Sequence, residues 1–259
     1  MENPCRGYKI ILTNLRKGED IMISEIADLR TQLNNLFCRW QKVHENEEEW
    51  KNTTAWEDVV YGGNVYKGIE KDSFVRDGIV SDEYDYKTLF VLKEANIISE
   101  RDNEDCLPHE RNQVNWYKKF VESGRDNKPK QLEKIGRMYC ALVNNNKSPD
   151  DFQIRNGLNR IAYMNLNKRG GGNLDKKVEA YFAKEEYKEL ITQQIHLLQP
   201  EFIICLGTYK WVKQLNLDNN KTYKTIDMWH TAYTRSEKLG YIDISKYMEE
   251  FYSRSGLNN

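Results

Sequence analysis

Long apolar runs are absent from this sequence, and so is an opening signal-peptide pattern. No apolar stretch approaches the roughly 20 residues that a membrane-spanning helix requires. Charged residues make up 31% of the chain and the mean hydropathy is -0.82, as is typical of a soluble protein. Because 39% of the 259 residues are hydrophobic and 12% are aromatic, the chain can bury a substantial core. We therefore expect a folded, cytoplasmic protein with no membrane partner.

Cysteine pairs at metal-binding spacing are also missing. The five cysteines are scattered, without a CxxC pair or the clustered Cys/His spacing that zinc and iron–sulfur sites need. They are Cys5, Cys38, Cys106, Cys140 and Cys205. We expect reduced thiols and predict no metal or other cofactor.

The sequence also lacks an excess of positive charge. The 39 Lys and Arg residues nearly balance the 40 Asp and Glu residues, giving a net charge of -1. The protein as a whole is therefore not attracted to nucleic acid, and any phosphate contact must come from local basic clusters. Two candidates are residues 118–137 and the loop containing Lys168, Arg169, Lys176 and Lys177. Such clusters are more often simply solvated.

An amphipathic helix is predicted over residues 24–45. Apolar residues recur there at intervals of three and four from Ile26 onward, and Ser24 is a candidate cap. We assign residues 1–80 to a helical N-terminal extension that packs on the core and offers a surface for a protein partner. Residues 81–259 then form the main domain.

Three strand-like segments end in polar residues: LFVLKEAN (89–96), RIAYMNLNK (160–168) and EFIICLGT (201–208), followed by a fourth element, WHTAYTR (229–235). Their apolar runs fit strands that are covered on both faces. Helical patterns cover residues 110–123, 130–144, 178–198, 209–215 and 241–253. We expect an α/β fold, a three-layer α/β/α sandwich with a central, mostly parallel four-stranded sheet. Ligands of such sheets bind beyond the carboxyl ends of the strands.

At these residues the chain resembles the uracil-DNA glycosylase superfamily. The run ELITQQIHLLQPEFIICLGTYKWVKQL (189–215) is similar to the family's helix and the strand that follows it. WHTAYTR stands where the family has His-Pro-Ser-Tyr with an Arg shortly after. The resemblance covers roughly residues 85–240 and implies a uracil-DNA glycosylase-like fold.

The first motif departs from the family pattern. The family has Gly-Glu-Ala-Pro-Gly or Gly-Gln-Asp-Pro-Tyr, whereas this chain has Lys93, Glu94, Ala95 and Asn96. The family's glycine and proline shape a tight turn that places a water-activating residue against the sugar. Only Glu94 matches, at the acidic position.

The resemblance implies roles for three residues. Glu94 would orient or deprotonate the attacking water, and His230 would donate a hydrogen bond to a base oxygen, so these two are the catalytic candidates. Asn165 would hydrogen-bond the Watson–Crick edge of a flipped base, because its amide offers a donor and an acceptor. Each has an ordinary alternative: a surface glutamate, a structural histidine, or an asparagine that satisfies backbone groups at a strand end.

Other polar residues lie at the same strand ends or in the loops after them. Candidates for base or substrate binding beside Asn165 are Asn96, Asn167 and Thr208; candidates for phosphate or DNA contact are Lys168, Arg169 and Arg235. The wedge and stacking residues are not assigned, and Trp116, Trp229 and Tyr233 are the available aromatics.

The resemblance implies a DNA glycosylase that hydrolyses the N-glycosidic bond of uracil or a modified base flipped out of single- or double-stranded DNA. The altered first motif favours an alternative, a non-catalytic member that binds a nucleotide, nucleic acid or protein. A third interpretation, an enzyme that acts on a free nucleoside or nucleotide, is favoured by the lack of global basic charge. Salt dependence separates a DNA enzyme from a small-molecule enzyme.

Overall fold

The computed structural model describes residues 5–46, 59–61, 64–66, 75–96, 130–171, 175–215, 217, 223–236 and 240–257. The helices are α1 (Cys5–Asn46), α2 (Lys130–Asn144), α3 (Asp151–Asn159), α4 (Asp175–Phe182), α5 (Glu185–Leu198), α6 (Tyr209–Val212) and α7 (Ile244–Ser255). The strands are β1 (Val59–Tyr61), β2 (Asn64–Tyr66), β3 (Gly78–Ile79), β4 (Thr88–Asn96), β5 (Ala162–Gly171), β6 (Phe202–Leu206), β7 (Lys224–Met228), β8 (Arg235–Ser236) and β9 (Gly240–Tyr241). None of the helices in these ranges is long and apolar enough to cross a membrane.

Helix α1 contributes one apolar face to the core. Ile26, Leu29 and Leu33 follow the helical period, and each is at most 4% exposed. The same face continues to Trp40, which is fully buried. The helix predicted over residues 24–45 is thus confirmed, and it begins further toward the N-terminus than the apolar pattern indicated.

The central sheet is mixed and has five strands in the order β3-β5-β4-β6-β7. Four of them are parallel, whereas β3 runs antiparallel to β5 through the pairs Gly78–Tyr163 and Ile79–Ala162. The predicted four-stranded, mostly parallel sheet is therefore wrong in strand number and misses the antiparallel edge. A two-residue strand is too short to show a period of two, so its sequence carries no readable signal.

Both faces of the sheet are covered by buried side chains and helices. Along β5, Met164 and Leu166 belong to a core cluster with α1, α4 and α5, whereas Tyr163 belongs to a cluster with α2, α3 and α7. Adjacent residues of β6 divide in the same way, Ile203 to the first cluster and Ile204 to the second. This alternation follows from the pleat of a strand. The fold is α/β, with helices packed against both faces of the mixed sheet.

Helix α3 was not predicted from the sequence. It begins with a capping box, in which the Asp150 carboxylate accepts a hydrogen bond from the Gln153 N–H at 2.8 Å and Gln153 Oε1 accepts one from the Asp150 N–H at 3.0 Å. The helix packs closely on α2, because a Cβ placed on Gly136 would lie 2.6 Å from Ile154 Cγ2. Glycine is therefore needed at this helix crossing.

The remaining helix predictions mostly agree with the structure. The segment 130–144 coincides with α2, and 178–198 contains α5 and the end of α4. The segment 209–215 begins with the four-residue α6, and 241–253 overlaps α7. The segment 110–123 lies outside the described residues.

Residues on both sides of position 80 contribute to the same sheet. Ile79 of β3 packs in the same buried cluster as Leu33 of α1 and Leu89 of β4. The boundary predicted between residues 1–80 and 81–259 therefore falls inside the sheet, between β3 and β4.

Candidate functional site

The topology of the parallel strands indicates where a ligand would bind. In chain order the four parallel strands lie in the spatial order 2-1-3-4, because β4 is flanked by β5 on one side and by β6 and then β7 on the other. The connections reverse direction between β4 and β6, and in α/β sheets a crevice opens at such a switch point, beyond the carboxyl ends of the strands. We therefore take the carboxyl ends of β4, β6 and β7 as the candidate site.

Gly207 brings these three strand ends together. Its φ of +71° is left-handed, which favours glycine, and its N–H donates a hydrogen bond to the Met228 carbonyl at 2.7 Å. A Cβ on this residue would lie 3.7 Å from the His230 backbone nitrogen and 3.8 Å from Lys93 Cε. Lys93 of β4 and His230 after β7 therefore both lie beside the turn that follows β6.

The loop after β7 holds His230 in one orientation. The imidazole Nδ1 accepts a hydrogen bond from the Ala232 N–H at 3.2 Å, and the His230 carbonyl accepts one from the Tyr233 N–H at 2.8 Å. Since a neutral imidazole carries one proton, acceptance at Nδ1 assigns that proton to Nε2. Nε2 is thus a hydrogen-bond donor in the neutral form.

The surroundings of His230 keep it neutral. Burial, together with the positive charges of Lys93 and Lys134, lowers its pKa from the ordinary 6.5 to about 4. At neutral pH His230 is therefore an uncharged hydrogen-bond donor close to the Lys93 and Lys134 side chains.

Lys134 and Tyr247 hold this loop from the adjacent helices. The Lys134 ammonium donates to the Thr231 carbonyl at 2.7 Å and to the Tyr233 carbonyl at 3.3 Å, and it lies 4.2 Å from the centre of the Tyr247 ring. The Tyr247 hydroxyl donates to the Trp229 carbonyl at 2.6 Å. Lys134 was not among the predicted site residues; its only signal in the sequence was a lysine on the apolar face of the predicted helix 130–144.

Asn165 lies on β5, on the other side of β4. Asn165 is 1% exposed. It pairs in register with Leu92 of β4, so the two side chains lie on the same face of the sheet. Its backbone N–H donates to Asp77 at 2.7 Å, while its side-chain Nδ2 lies 3.4 Å from the same carboxylate. Its Oδ1 is buried and has no hydrogen-bond partner among the described residues. A buried acceptor without a partner is costly, and this one lies at the edge of the sheet that holds the candidate site.

Two more predicted binding residues are buried at the same edge. Asn167 pairs in register with Glu94 and is 1% exposed. The Thr208 hydroxyl donates to the Val91 carbonyl at 2.9 Å, which ties the end of β6 to β4. Thr208 therefore has a structural role at the switch point.

Lys168 is not at a phosphate-binding surface. Its side chain is fully buried, and its ammonium lies 2.6 Å and 2.8 Å from the two Asp77 oxygens. Gln194 also donates to Asp77 at 2.8 Å, and the ammonium lies 5.0 Å from the Trp40 ring centre. The prediction placed Lys168 in a loop, but β5 continues to Gly171, and the pleat turns Lys168 toward α1 and α5. This correction removes Lys168 from the candidate phosphate contacts.

Four predicted site residues are described by their backbone alone. Glu94 and Asn96 lie on β4, opposite Asn167 and Gly171 of β5, with a register shift between them. Arg169 lies on β5, and Arg235 begins β8, where it pairs with Tyr241. Trp116 and the basic segment 118–129 lie outside the described residues.

The surroundings of the site add one exposed aromatic residue. Tyr233 is 41% exposed and follows His230 by three positions, whereas Trp229 packs 6.3 Å from the Tyr247 ring and below the Arg254 guanidinium. Of the two, Tyr233 is the more exposed to solvent. Within the described ranges no group of three His, Cys, Asp or Glu side chains could hold a metal ion.

Comparisons with known proteins return no relative. No family model matches the chain, and neither a curated protein nor a solved structure matches it significantly. The interpretation of the site therefore depends on its geometry and on the motif resemblance.

Proposed function

We propose that this protein hydrolyses the N-glycosidic bond of uracil or a modified base that has been flipped out of DNA. It would be a divergent member of the uracil-DNA glycosylase superfamily, with a three-layer α/β/α arrangement. The observation that carries the proposal is His230, a neutral imidazole with Nε2 as donor, at the switch point of a 2-1-3-4 sheet.

The charge distribution suits the reaction. Cleavage of an N-glycosidic bond leaves positive charge on the sugar and negative charge on the departing base. A neutral His230 donates a hydrogen bond to a base oxygen without transferring a full proton, and the positive charges of Lys93 and Lys134 nearby favour a base that departs as an anion.

Base recognition falls to Asn165 on the opposite side of the crevice. Three strand spacings of about 4.8 Å separate β5 from β7, or about 14 Å between backbones. The unpartnered Oδ1 of Asn165 would accept a hydrogen bond from a base N–H, while Nδ2 supplies a donor.

The remaining roles follow from chain position. Glu94 is one residue beyond Lys93 and pairs with Asn167, so in this proposal its carboxylate activates the water that attacks the sugar. Arg169 and Arg235 contact the DNA backbone. Tyr233, which is exposed beside His230, stacks on or displaces a neighbouring base.

One observation favours the non-catalytic alternative. The Lys93 side chain lies against Gly207 and close to His230, at the motif position where the resembled family has a glycine. A lysine there would leave less room for the sugar and would suit a protein that retains an anionic ligand. We therefore keep the binding protein as the second candidate.

The direct test is base release. Single-stranded and duplex oligonucleotides carrying uracil or a panel of modified bases would be incubated with the parent protein and with Glu94→Gln, Asn165→Leu and His230→Asn. We expect release by the parent and a loss of about 10²-fold or more in each variant. His196→Asn, on α5 and outside the site, is the matched control. Absence of release from every substrate would refute the proposal.

The same oligonucleotides distinguish the alternatives. Affinity measured at several salt concentrations should fall steeply if DNA is the ligand. Tight DNA binding without base release would favour the binding protein, provided that Glu94→Gln leaves the affinity unchanged. Release from free nucleosides with no salt dependence would favour the small-molecule enzyme.

A further inference from the structure

A buried lysine on α2 lacks a carboxylate partner in the described part of the chain. Lys134 is 3% exposed, and its hydrogen bonds go to two backbone carbonyls. Fully buried lysines are rare unless they are paired, because a buried ammonium loses hydration. Burial accordingly lowers the pKa of Lys134. A cost of this kind calls for a compensating role.

Lys134 and Tyr247 together fix three alternate carbonyls of the His230 loop. Tyr247 donates to the carbonyl of Trp229, and Lys134 donates to those of Thr231 and Tyr233. We call these contacts the carbonyl clamp. Its donors come from α2 and α7, 97 residues before and 18 residues after the carbonyls they bind.

The clamp holds the backbone segment that carries the imidazole. His230 lies between the clamped carbonyls, and its Nδ1 and carbonyl are bonded to the amides of Ala232 and Tyr233 in the same loop. A loop held at residues 229, 231 and 233 cannot rotate as a unit without breaking a clamp contact. The clamp therefore holds the backbone on both sides of His230, including the residue whose N–H donates to its Nδ1.

Within the described residues, two elements bring charged side chains close to His230. Lys93 approaches from β4 and Lys134 from α2, and both lower the pKa of His230. Glu94, next to Lys93, is described by its backbone alone. Among the side chains that the structure describes, positive charge thus predominates around the imidazole.

We propose that Lys134 is a positioning residue for His230 and makes this site favour a ligand group that carries or gains negative charge. The ammonium orients the imidazole through the loop carbonyls, and its charge acts across the loop on the ligand side. The assignment of that group as a base that departs as an anion rests on the proposed glycosidase function. The positioning itself does not depend on that function.

The first arm of the test is an NMR titration of the His230 imidazole in the full-length protein. The wild-type pKa is expected near 4. Lys134→Met should raise the His230 pKa toward its ordinary value, because a neighbouring cation is lost, whereas Lys134→Arg should keep it low. Lys130→Met, which removes an equal charge from the exposed start of α2, is the control and should change it little. An unchanged pKa in Lys134→Met would overturn the proposal.

The second arm measures how the rate depends on the leaving group. Uracil and 5-fluorouracil differ in how readily they depart as anions, and 5-fluorouracil needs less stabilisation. Lys134→Met should lower kcat on uracil by about 10²-fold, with a smaller loss on 5-fluorouracil and little change in KM. Equal losses on both bases would refute the electrostatic role. If the parent releases neither base, the glycosidase function fails. The titration then still decides whether the Lys134 charge acts on His230, and the amide exchange described below decides the positioning role.

A milder variant covers the case in which Lys134→Met does not fold. Tyr247→Phe removes the donor to the Trp229 carbonyl and leaves every charge in place. Amide hydrogen exchange at Ala232, whose N–H is bonded to His230 Nδ1, should become about fivefold faster because one clamp hydrogen bond is lost. Unchanged exchange would show that the loop does not depend on the clamp, and the proposal would be wrong.

Discussion

Acidification from pH 7 to pH 4 should destabilise this protein through His230. The folded-state pKa of about 4 lies below the ordinary 6.5. Above about pH 6.5 the imidazole is neutral in the folded and unfolded states and adds nothing to the pH dependence. Between these two values the unfolded chain binds a proton that the folded protein does not bind, so the free energy of unfolding decreases as the pH falls.

The size of the effect follows from the two pKa values. At about 1.4 kcal/mol for each pH unit, the difference between 6.5 and about 4 corresponds to at most about 3.5 kcal/mol. This full decrease in the free energy of unfolding is reached only below the folded-state pKa. Because His230 is partly exposed, solvent screening should reduce the measured value. Such a loss is a large part of the stability of a typical domain.

Urea unfolding of the wild type and His230→Asn at about pH 7, 5.5 and 4 would measure this term. Other carboxylates and histidines titrate in both proteins, so the difference between the two free energies isolates His230. The wild type should lose about 2 to 3 kcal/mol more than the variant between pH 7 and pH 4. A difference that stays constant with pH would refute the argument that the loop keeps His230 neutral.

Three further predictions concern stability. Asp77→Asn should lower the free energy of unfolding in urea by about 3–5 kcal/mol, because Lys168 remains buried without its counter-charge. Adding Lys168→Met should recover most of that loss. A loss below about 1 kcal/mol would contradict a stabilising role of the ion pair. Gly136→Ala should lower the unfolding free energy by about 1–3 kcal/mol through the clash with Ile154, and a stabilised variant would show that α2 and α3 do not pack this closely. Asp150→Ala should lower the free energy of unfolding by about 1 kcal/mol through loss of the capping box. An unchanged thermal unfolding temperature would argue against a stabilising role of the capping box.

Local patterns predicted most of the elements around the site. The 3.6-residue period of apolar side chains identified the buried half of α1 and the extent of α2, and continuous apolar runs identified β4, β5 and β6. These features depend on residues close together in the chain, so a single sequence contains the signal. Polar residues at strand ends likewise pointed to the carboxyl edge, where His230 and Asn165 now lie.

Lys168 shows where the local pattern failed. A basic residue after an apolar strand indicates a loop, but β5 runs on to Gly171 and the period of two places Lys168 on the face of Met164 and Leu166. A lysine is tolerated at that buried position because its ammonium pairs with Asp77. Asp77 directly precedes β3 and lies 91 residues earlier in the chain. Only the antiparallel pairing of β3 with β5 brings the two together.

By itself the sequence determined the helix periods, the strand cores and the set of polar residues at their ends, because each depends on neighbours along the chain. The tertiary structure decided which of those residues share a site. The switch point between β4 and β6, the burial of Lys168 and the contact of Lys134 with the His230 loop join segments about 90 to 120 residues apart. Contacts over such separations arise from packing and strand order, which no local pattern encodes.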